Sequence, residues 1–341
     1  QEWSTTMPEN NNGFFYPSVS AGFVFTEIEA LKTDLLPFGK IRASYAITAS
    51  DANPYRLRTL WYQAGAGDGW TNGIRFPFKD MASFTLDNVI GNNIMKPETQ
   101  KSLEIGTNLR FRDNKFQLDL AYFFNQNLDL LMEAPIATST GFDSKYMNTA
   151  TMETRGFEIT LRASIIEIND FEWNLNANFA NPETKVTSLA TGATNVNVLR
   201  DIGGFGDPQI HAVLNNSYRL IYGSKFLTDG GHYIIDDRQE EETYQYPIQS
   251  LDLGIIGNVE PDYTIGLTNN FRYKNLQIST LLDIKVGGQM WNGTRGALYY
   301  YGKHKDTETR NTETESWTGL YGHYNNEGEL VHYETDENGD R

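Results

Sequence analysis

Phe171-Glu172-Trp173-Asn174-Leu175-Asn176-Ala177-Asn178-Phe179 alternates an apolar with a polar side chain at every step. A period of two is that of a β-strand, whose successive side chains point to opposite faces. The apolar set is bulky and partly aromatic, and the polar set is amides with one acid. This strand separates two unlike environments.

Seven other segments alternate in the same way: Phe15 to Phe25, Lys40 to Ala49, Lys101 to Phe111, the stretch from Phe116, Gly156 to Ala163, Tyr263 to Tyr273, and Leu276 to Val286. In Lys101 to Phe111, Leu103, Ile105, Leu109 and Phe111 oppose Glu104, Asn108 and Arg110. From Phe116 onward, Leu118, Leu120, Tyr122 and Phe124 oppose Gln117, Asp119 and Asn125. The connections alternate too. Thr26 to Gly39 (with a helical turn expected in Glu27 to Asp34), Arg112-Asp113-Asn114-Lys115, Ile166 to Asp170 and Lys274-Asn275 are short. Residues 50–100, 132–155, 181–261 and 288–341 are read as long loops. Consecutive antiparallel strands place alternate connections at opposite ends, so every short one shares one rim. This is the plan of an all-β transmembrane barrel, with short periplasmic turns and long outer loops.

A soluble sheet covered on one side would alternate as well. Three features favour the barrel. Charged and amide groups recur on the polar face, as a hydrated lumen tolerates. Phe15, Phe111, Phe157, Phe171, Tyr263, Phe271 and Tyr273 mark strand ends, where aromatic girdles sit. Segregated loop lengths also fit a Greek-key sandwich poorly.

Composition bounds the rest. The 341 residues contain 44 acidic and 28 basic side chains, a formal charge of −16, and no cysteine. Disulfides and thiolate metal sites are excluded, and nucleic acid is not an expected partner. Aromatic residues make up 13%, too many for disorder. No apolar run reaches the roughly 18 residues of a spanning helix, which leaves strand barrels untouched. Gln1-Glu2-Trp3 begins no signal peptide and Asp336 to Arg341 is polar loop, so the chain is expected to be a piece of something larger.

Several strings then resemble one family. They include Phe15-Tyr16-Pro17-Ser18-Val19-Ser20, Phe38-Gly39-Lys40-Ile41-Arg42-Ala43-Ser44-Tyr45, Lys96-Pro97-Glu98 and Ser102-Leu103-Glu104-Ile105-Gly106. Further along come Arg155-Gly156-Phe157-Glu158-Ile159, Gly266-Leu267-Thr268-Asn269, Phe271-Arg272-Tyr273-Lys274-Asn275 and Asn292-Gly293-Thr294-Arg295. In order and spacing, most of residues 13–302 is similar to TonB-dependent outer-membrane transporters of the SusC/RagA type of Bacteroidetes. The resemblance implies a barrel of about 22 strands, filled by a plug and set in outer-membrane lipid. It also implies energy supplied through TonB, a SusD-like surface lipoprotein as lid, and glycan or peptide substrates. The eight strands would be part of that barrel. The plug, the TonB-contact segment and the remaining strands are expected to lie outside this chain, which alone should transport nothing.

No enzyme motif is found. His211, His232, His304, His323 and His332 follow no metal-ligand spacing. Asp236-Asp237 and the acidic run from Asp336 to Asp340 could meet calcium but lack the register of a calcium loop, so no cofactor is expected. Substrate-contact candidates are Trp61, Tyr62, Trp70, Trp291 and Tyr299, aromatic residues in the long loops that suit a sugar or peptide; the alternative for each is loop packing or contact with a lid protein. Lumen-wall candidates are Glu104, Arg110, Asp119, Glu158, Arg162, Glu172, Arg272, Asp283 and Lys285. The alternatives are a non-transporting surface barrel and a soluble carbohydrate-binding β-sandwich.

Overall fold

The computed structural model describes residues 1–67, 73–112, 114–189, 193–199, 208–312 and 316–332. All eight alternating segments form strands: β1 (Ser18–Val24), β2 (Phe38–Ser50), β3 (Glu98–Phe111), β4 (Phe116–Pro135), β5 (Ser144–Ile168), β6 (Phe171–Ala180), β7 (Pro261–Tyr273) and β8 (Leu276–Gly287). They lie in one sheet in strict chain order, each antiparallel to the next.

Three expected boundaries move. The first strand is shorter than Phe15 to Phe25: it begins after Pro17, which has no N–H to give a ladder, and ends where Phe25–Glu27 turns into a 3-10 helix. That helix and Glu29–Leu31 form the expected helical connection. The stretch 132–155 is not a long loop. There β4 and β5 continue as a paired hairpin, leaving only residues 136–143 to connect them. The β5–β6 link shrinks to Asn169-Asp170, because β5 absorbs an extra residue at a bulge between Ser164 and Ile166. The bulge leaves Ile165 unpaired, so that Ile166 meets Trp173 and Glu167 meets Glu172. It thereby restores the alternation that the Ile165-Ile166 pair would break.

The short connections are tight because their residues accept left-handed backbone: Arg112, Asn114, Asn169 and Lys274 all have positive φ. Neighbouring turns also tie to one another. The Lys274 N–H donates to the Asp170 carbonyl at 2.9 Å, and Lys115 and Glu167 stand 3.9 Å apart.

The apolar face carries a bounded belt. Its side chains run from Phe111 to Leu103 on β3, Phe116 to Phe124 on β4 and Phe171 to Phe179 on β6. Nine residues per strand is the length that crosses a bilayer at a tilt. One pleat beyond, the ladder row Lys101, Gln126, Glu153 and Lys185 replaces the apolar side chains. Aromatic pairs stand near both margins: Trp173 with Phe271 at 5.7 Å, and Phe179 with Tyr263 at 5.7 Å. Ile105 (50% exposed), Phe157 (53%), Ile278 (51%) and Leu282 (55%) are uncovered on this face, where a sandwich would bury them under a second sheet. Asn269, a polar residue on this face, accepts the indole N–H of Trp173 at 3.1 Å.

By contact the chain divides into two compact units. The first comprises Gln1–Asn197, Ala212–Tyr218 and Glu260–Gly288, and contains the eight-stranded wall. The second comprises Val198–His211, Arg219–Val259 and Gln289–Arg341. In it, Leu220–Gly223 pairs with Gly254–Asn258, and His232–Asp236 runs parallel to Gly319–Tyr324 over the buried side chains of Ile234 and Ile235. No helix among the described residues is long and apolar enough to cross a membrane.

Candidate functional site: the polar wall and the outer loops

Register places the polar side chains of all eight strands on one surface. One row reads Phe38, Arg110, Gln117, Arg162, Asn176, Thr268, Leu281 from β2 to β8. The next reads Lys40, Asn108, Asp119, Thr160, Asn178, Gly266, Asp283. All nine wall candidates fall on this surface: Glu158 stands opposite Ala121, Glu172 opposite Arg272, and Lys285 opposite Thr264.

The wall's densest cluster centres on Arg42, which composition and spacing alone did not single out. Its guanidinium donates to Glu104 Oε1 at 3.2 Å, Asn108 Oδ1 at 3.1 Å and Asp119 Oδ1 at 3.0 Å, reaching across an intervening strand. Gly106, directly opposite Arg42, provides the passage. A Cβ there would stand 2.7 Å from Arg42 Cζ and 2.8 Å from the Leu120 carbonyl oxygen. Glycine here is a requirement of the crossing. The same device seats Phe123, an aromatic residue on the polar face. Its ring lies over Gly156, where a Cβ would come within 2.9 Å of Phe123 Cζ. Farther along, Arg272 forms a paired contact with Glu172, with Nε donating to Oε2 at 2.9 Å.

The loop candidates do not form one group. Trp61 (66% exposed) and Tyr62 are adjacent on a short strand, Trp61–Gln63, paired with Phe84–Leu86 in the first unit. Trp291 and Tyr299 belong to the second unit. Trp70 lies outside the described residues. Tyr299 is committed internally: its ring stacks on His304 at 4.2 Å, and its hydroxyl donates to Asp306, holding that carboxyl below its ordinary pKa. Trp291 precedes the helix Gly293–Tyr300, whose N-terminus is capped by Asn292 Oδ1 accepting from Arg295 N at 2.9 Å. A separate aromatic group escaped the sequence: Phe226, Tyr233 and Trp317, with centroids 5.7 to 6.1 Å apart on the second unit's surface. The three are far apart in the chain, so no string could show them together.

The second unit also has a polar anchor. Asp236, fully buried, receives Arg238 Nε at 3.0 Å, Arg238 Nη2 at 2.8 Å and Thr243 Oγ1 at 2.6 Å. The Arg238 guanidinium in particular holds the carboxyl at about 2. Next to it, Asp237 meets His323 Nδ1 at 2.8 Å. Burial lowers the pKa of His211, whose ring stacks on Tyr222 at 4.4 Å.

A one-layer antiparallel meander, apolar and belted on one face and polar on the other, defines the wall of a transmembrane β-barrel. The chain belongs to the family described as TonB dependent receptor-like, beta-barrel, whose profile matches residues 1–318. This is a family of outer-membrane receptors rather than enzymes. Relatives include TonB-dependent receptor P3 of Formosa agariphila, 26% identical over 318 residues covering 86% of this chain and 30% of the relative. TonB-dependent receptor SusC of Bacteroides thetaiotaomicron is 23% identical over 297 residues, covering 84% and 29%. Among solved structures, the RagAB peptide transporter superposes with a TM-score of 0.64 at 17% identity, over 84% of this chain and 30% of that one. The RagAB peptide importer in its open-open state gives 0.62 at 19%, over 83% and 30%. The chain thus spans about 30% of the length of the curated relatives it matches.

Proposed function

We propose that this chain forms part of the barrel wall of a TonB-dependent importer that carries oligomeric nutrients, glycans or peptides, across the outer membrane. A SusD-like surface lipoprotein covers its outer face, and the TonB complex supplies the energy. The observation that carries the reading is the continuous polar surface, eight strands wide, backed by a belt of lipid-compatible side chains. Such a wall gives a hydrated path to a polar oligomer too large to diffuse through the bilayer. Kinship with the TonB-dependent receptor SusC supports the TonB-linked part of this reading, and the fold shared with the RagAB peptide transporter is compatible with a peptide cargo. No resident cofactor enters the mechanism.

In this reading ligand settles among the outer loops, with Trp61 and Tyr62 as the available stacking faces. Tyr299, already stacked on His304, acts by shaping its loop. The wall's amides and paired ions then exchange hydrogen bonds with the hydrated ligand without holding it. The test uses the whole receptor in its native membrane. Detergent should release it with a lipoprotein attached, and deleting it should abolish uptake of one labelled oligosaccharide or peptide pool. Release by high salt alone, or undiminished uptake of every pool, would overturn the proposal.

A further inference from the structure

The bulge that interrupts β4 turns backbone groups away from the ladder, and two side chains take them up. Asp129, in left-handed backbone (φ 55°) within the register shift from Asn127 to Leu130, offers its carbonyl to Asn148 Nδ2 at 2.6 Å. The same Nδ2 donates to the Lys96 carbonyl at 2.8 Å, and Asn148 Oδ1 accepts the Lys96 N–H at 2.9 Å. Both amide protons and the side-chain carbonyl of Asn148 are thereby committed. Glu98, the first residue of β3, accepts the Leu131 N–H at 2.7 Å. Lys96 and Glu98 flank Pro97, where the first outer loop re-enters the wall, so both side chains fasten that return to the β4–β5 hairpin.

From this point contacts run without a break to Trp61. Met95, fully buried, clusters with Met7, Phe14 and Ala52, and Leu131 and Tyr146 of the hairpin pack against them. Asn92 Nδ2 donates to the Tyr146 carbonyl at 2.8 Å, and the Arg56 guanidinium lies over the Tyr146 ring at 4.4 Å. Val89-Ile90 pairs in parallel with Ser144-Lys145. The loop's two limbs are also bonded to each other: the Asn92 N–H donates to the Arg56 carbonyl at 2.9 Å, and the Asp87 N–H to the Leu60 carbonyl at 2.8 Å. One residue further, Trp61–Gln63 forms its ribbon with Phe84–Leu86. A loop bonded at each level is preorganised, and a contact residue it carries loses little freedom when ligand binds.

We infer that Asn148 and Glu98 are positioning residues for cargo capture: by seating the loop's return on the bulged hairpin, they hold the Trp61 ribbon as a fixed arm of the wall, not as a flap that closes. This rests on the reading of Trp61 as a cargo contact.

The 341 residues contain no cysteine, so spin labels can be placed at Thr85→Cys on the ribbon and Ile105→Cys on β3, in the whole receptor made otherwise free of cysteine. The labelled receptor should give one narrow distance distribution, unmoved by cargo. Asn148→Asp keeps the side chain's size but sets an acceptor against the Lys96 and Asp129 carbonyls, and Glu98→Ala removes the acceptor for Leu131. Each should broaden the distribution at least about twofold, whereas Glu98→Gln, which retains an acceptor, should not. Uptake of fluorescein-labelled tryptic peptides and of fluorescein-labelled dextran oligosaccharides gives the second readout. Asn148→Asp and Glu98→Ala should raise KM about tenfold at unchanged maximal rate, and add nothing further in a Trp61→Ala background. Heat-dependent gel migration verifies that each variant is folded. A broad distribution before substitution, a shift on adding cargo, an unbroadened one in Asn148→Asp and Glu98→Ala, or a lower maximal rate at unchanged KM would overturn the positioning role. If Trp61→Ala leaves KM unchanged while the other variants broaden the distances, the reading of Trp61 is at fault. Uptake of neither pool by the unsubstituted receptor would refute the transport reading, and the distances would still decide whether the arm is fixed.

Discussion

Arginine placed at position 175 tests the belt at its centre. Leu175 is the fifth of nine residues in the apolar run from Phe171 to Phe179, aligned with Ala163 on β5 and Asn269 on β7. Eight steps of about 3.4 Å make about 27 Å along the strand, or about 21 Å of depth at a tilt of about 40°. Leu175 therefore lies about 10 Å from either margin. Arginine facing lipid at that depth costs about 2 to 4 kcal/mol. The control is Asn178→Arg on the polar face, between Thr160 and Gly266. It forfeits the 3.1 Å hydrogen bond from Thr160 and should cost under about 1 kcal/mol. Asn176 is a poorer control, since it directly faces Arg162. Urea titrations of the receptor refolded into phospholipid vesicles, followed by tryptophan fluorescence, would compare the two midpoints. Equal losses, or a larger loss at 178, would refute the facing assignment.

Gly106→Val should expel the Arg42 guanidinium from its crossing and cost about 2 to 3 kcal/mol. In that background Arg42→Ala should add little, and a full additional loss in the double-mutant cycle would refute the passage. Asp236, whose pKa falls from an ordinary 3.8 to about 2, adds about 2 kcal/mol of local stability that is intact above about pH 4 and lost as pH falls through 2. Asp236→Asn should remove that dependence, read as faster amide exchange of Ile234 and Ile235 at neutral pH, with the wall unchanged. Trp61→Ala should weaken ligand binding by about 1 to 2 kcal/mol in calorimetry without shifting the unfolding midpoint. Unaltered affinity would remove Trp61 from the contact surface.

The wall was legible in the chain because a strand's face assignment is local. Phe171 to Phe179 states its two environments residue by residue, and loop lengths order the hairpins without knowledge of the partner strand. Glu104, Arg110, Asp119, Glu158, Arg162, Glu172, Arg272, Asp283 and Lys285 could be placed on the polar surface from parity alone. Parity could not say which of them pair. The union of Arg42 with Asp119 depends on register between strands and on the space left by Gly106. The extension of β4 and β5 through residues 132–155 was also hidden. Bulges after Asn127 and around Leu130 break the period of two that reveals a strand, while the hairpin's hydrogen bonds persist. The grouping of Phe226, Tyr233 and Trp317, and the burial of Asp236, likewise waited on tertiary structure. Contacts between residues distant in sequence are decided by how the backbone brings them together, and no local pattern carries that information.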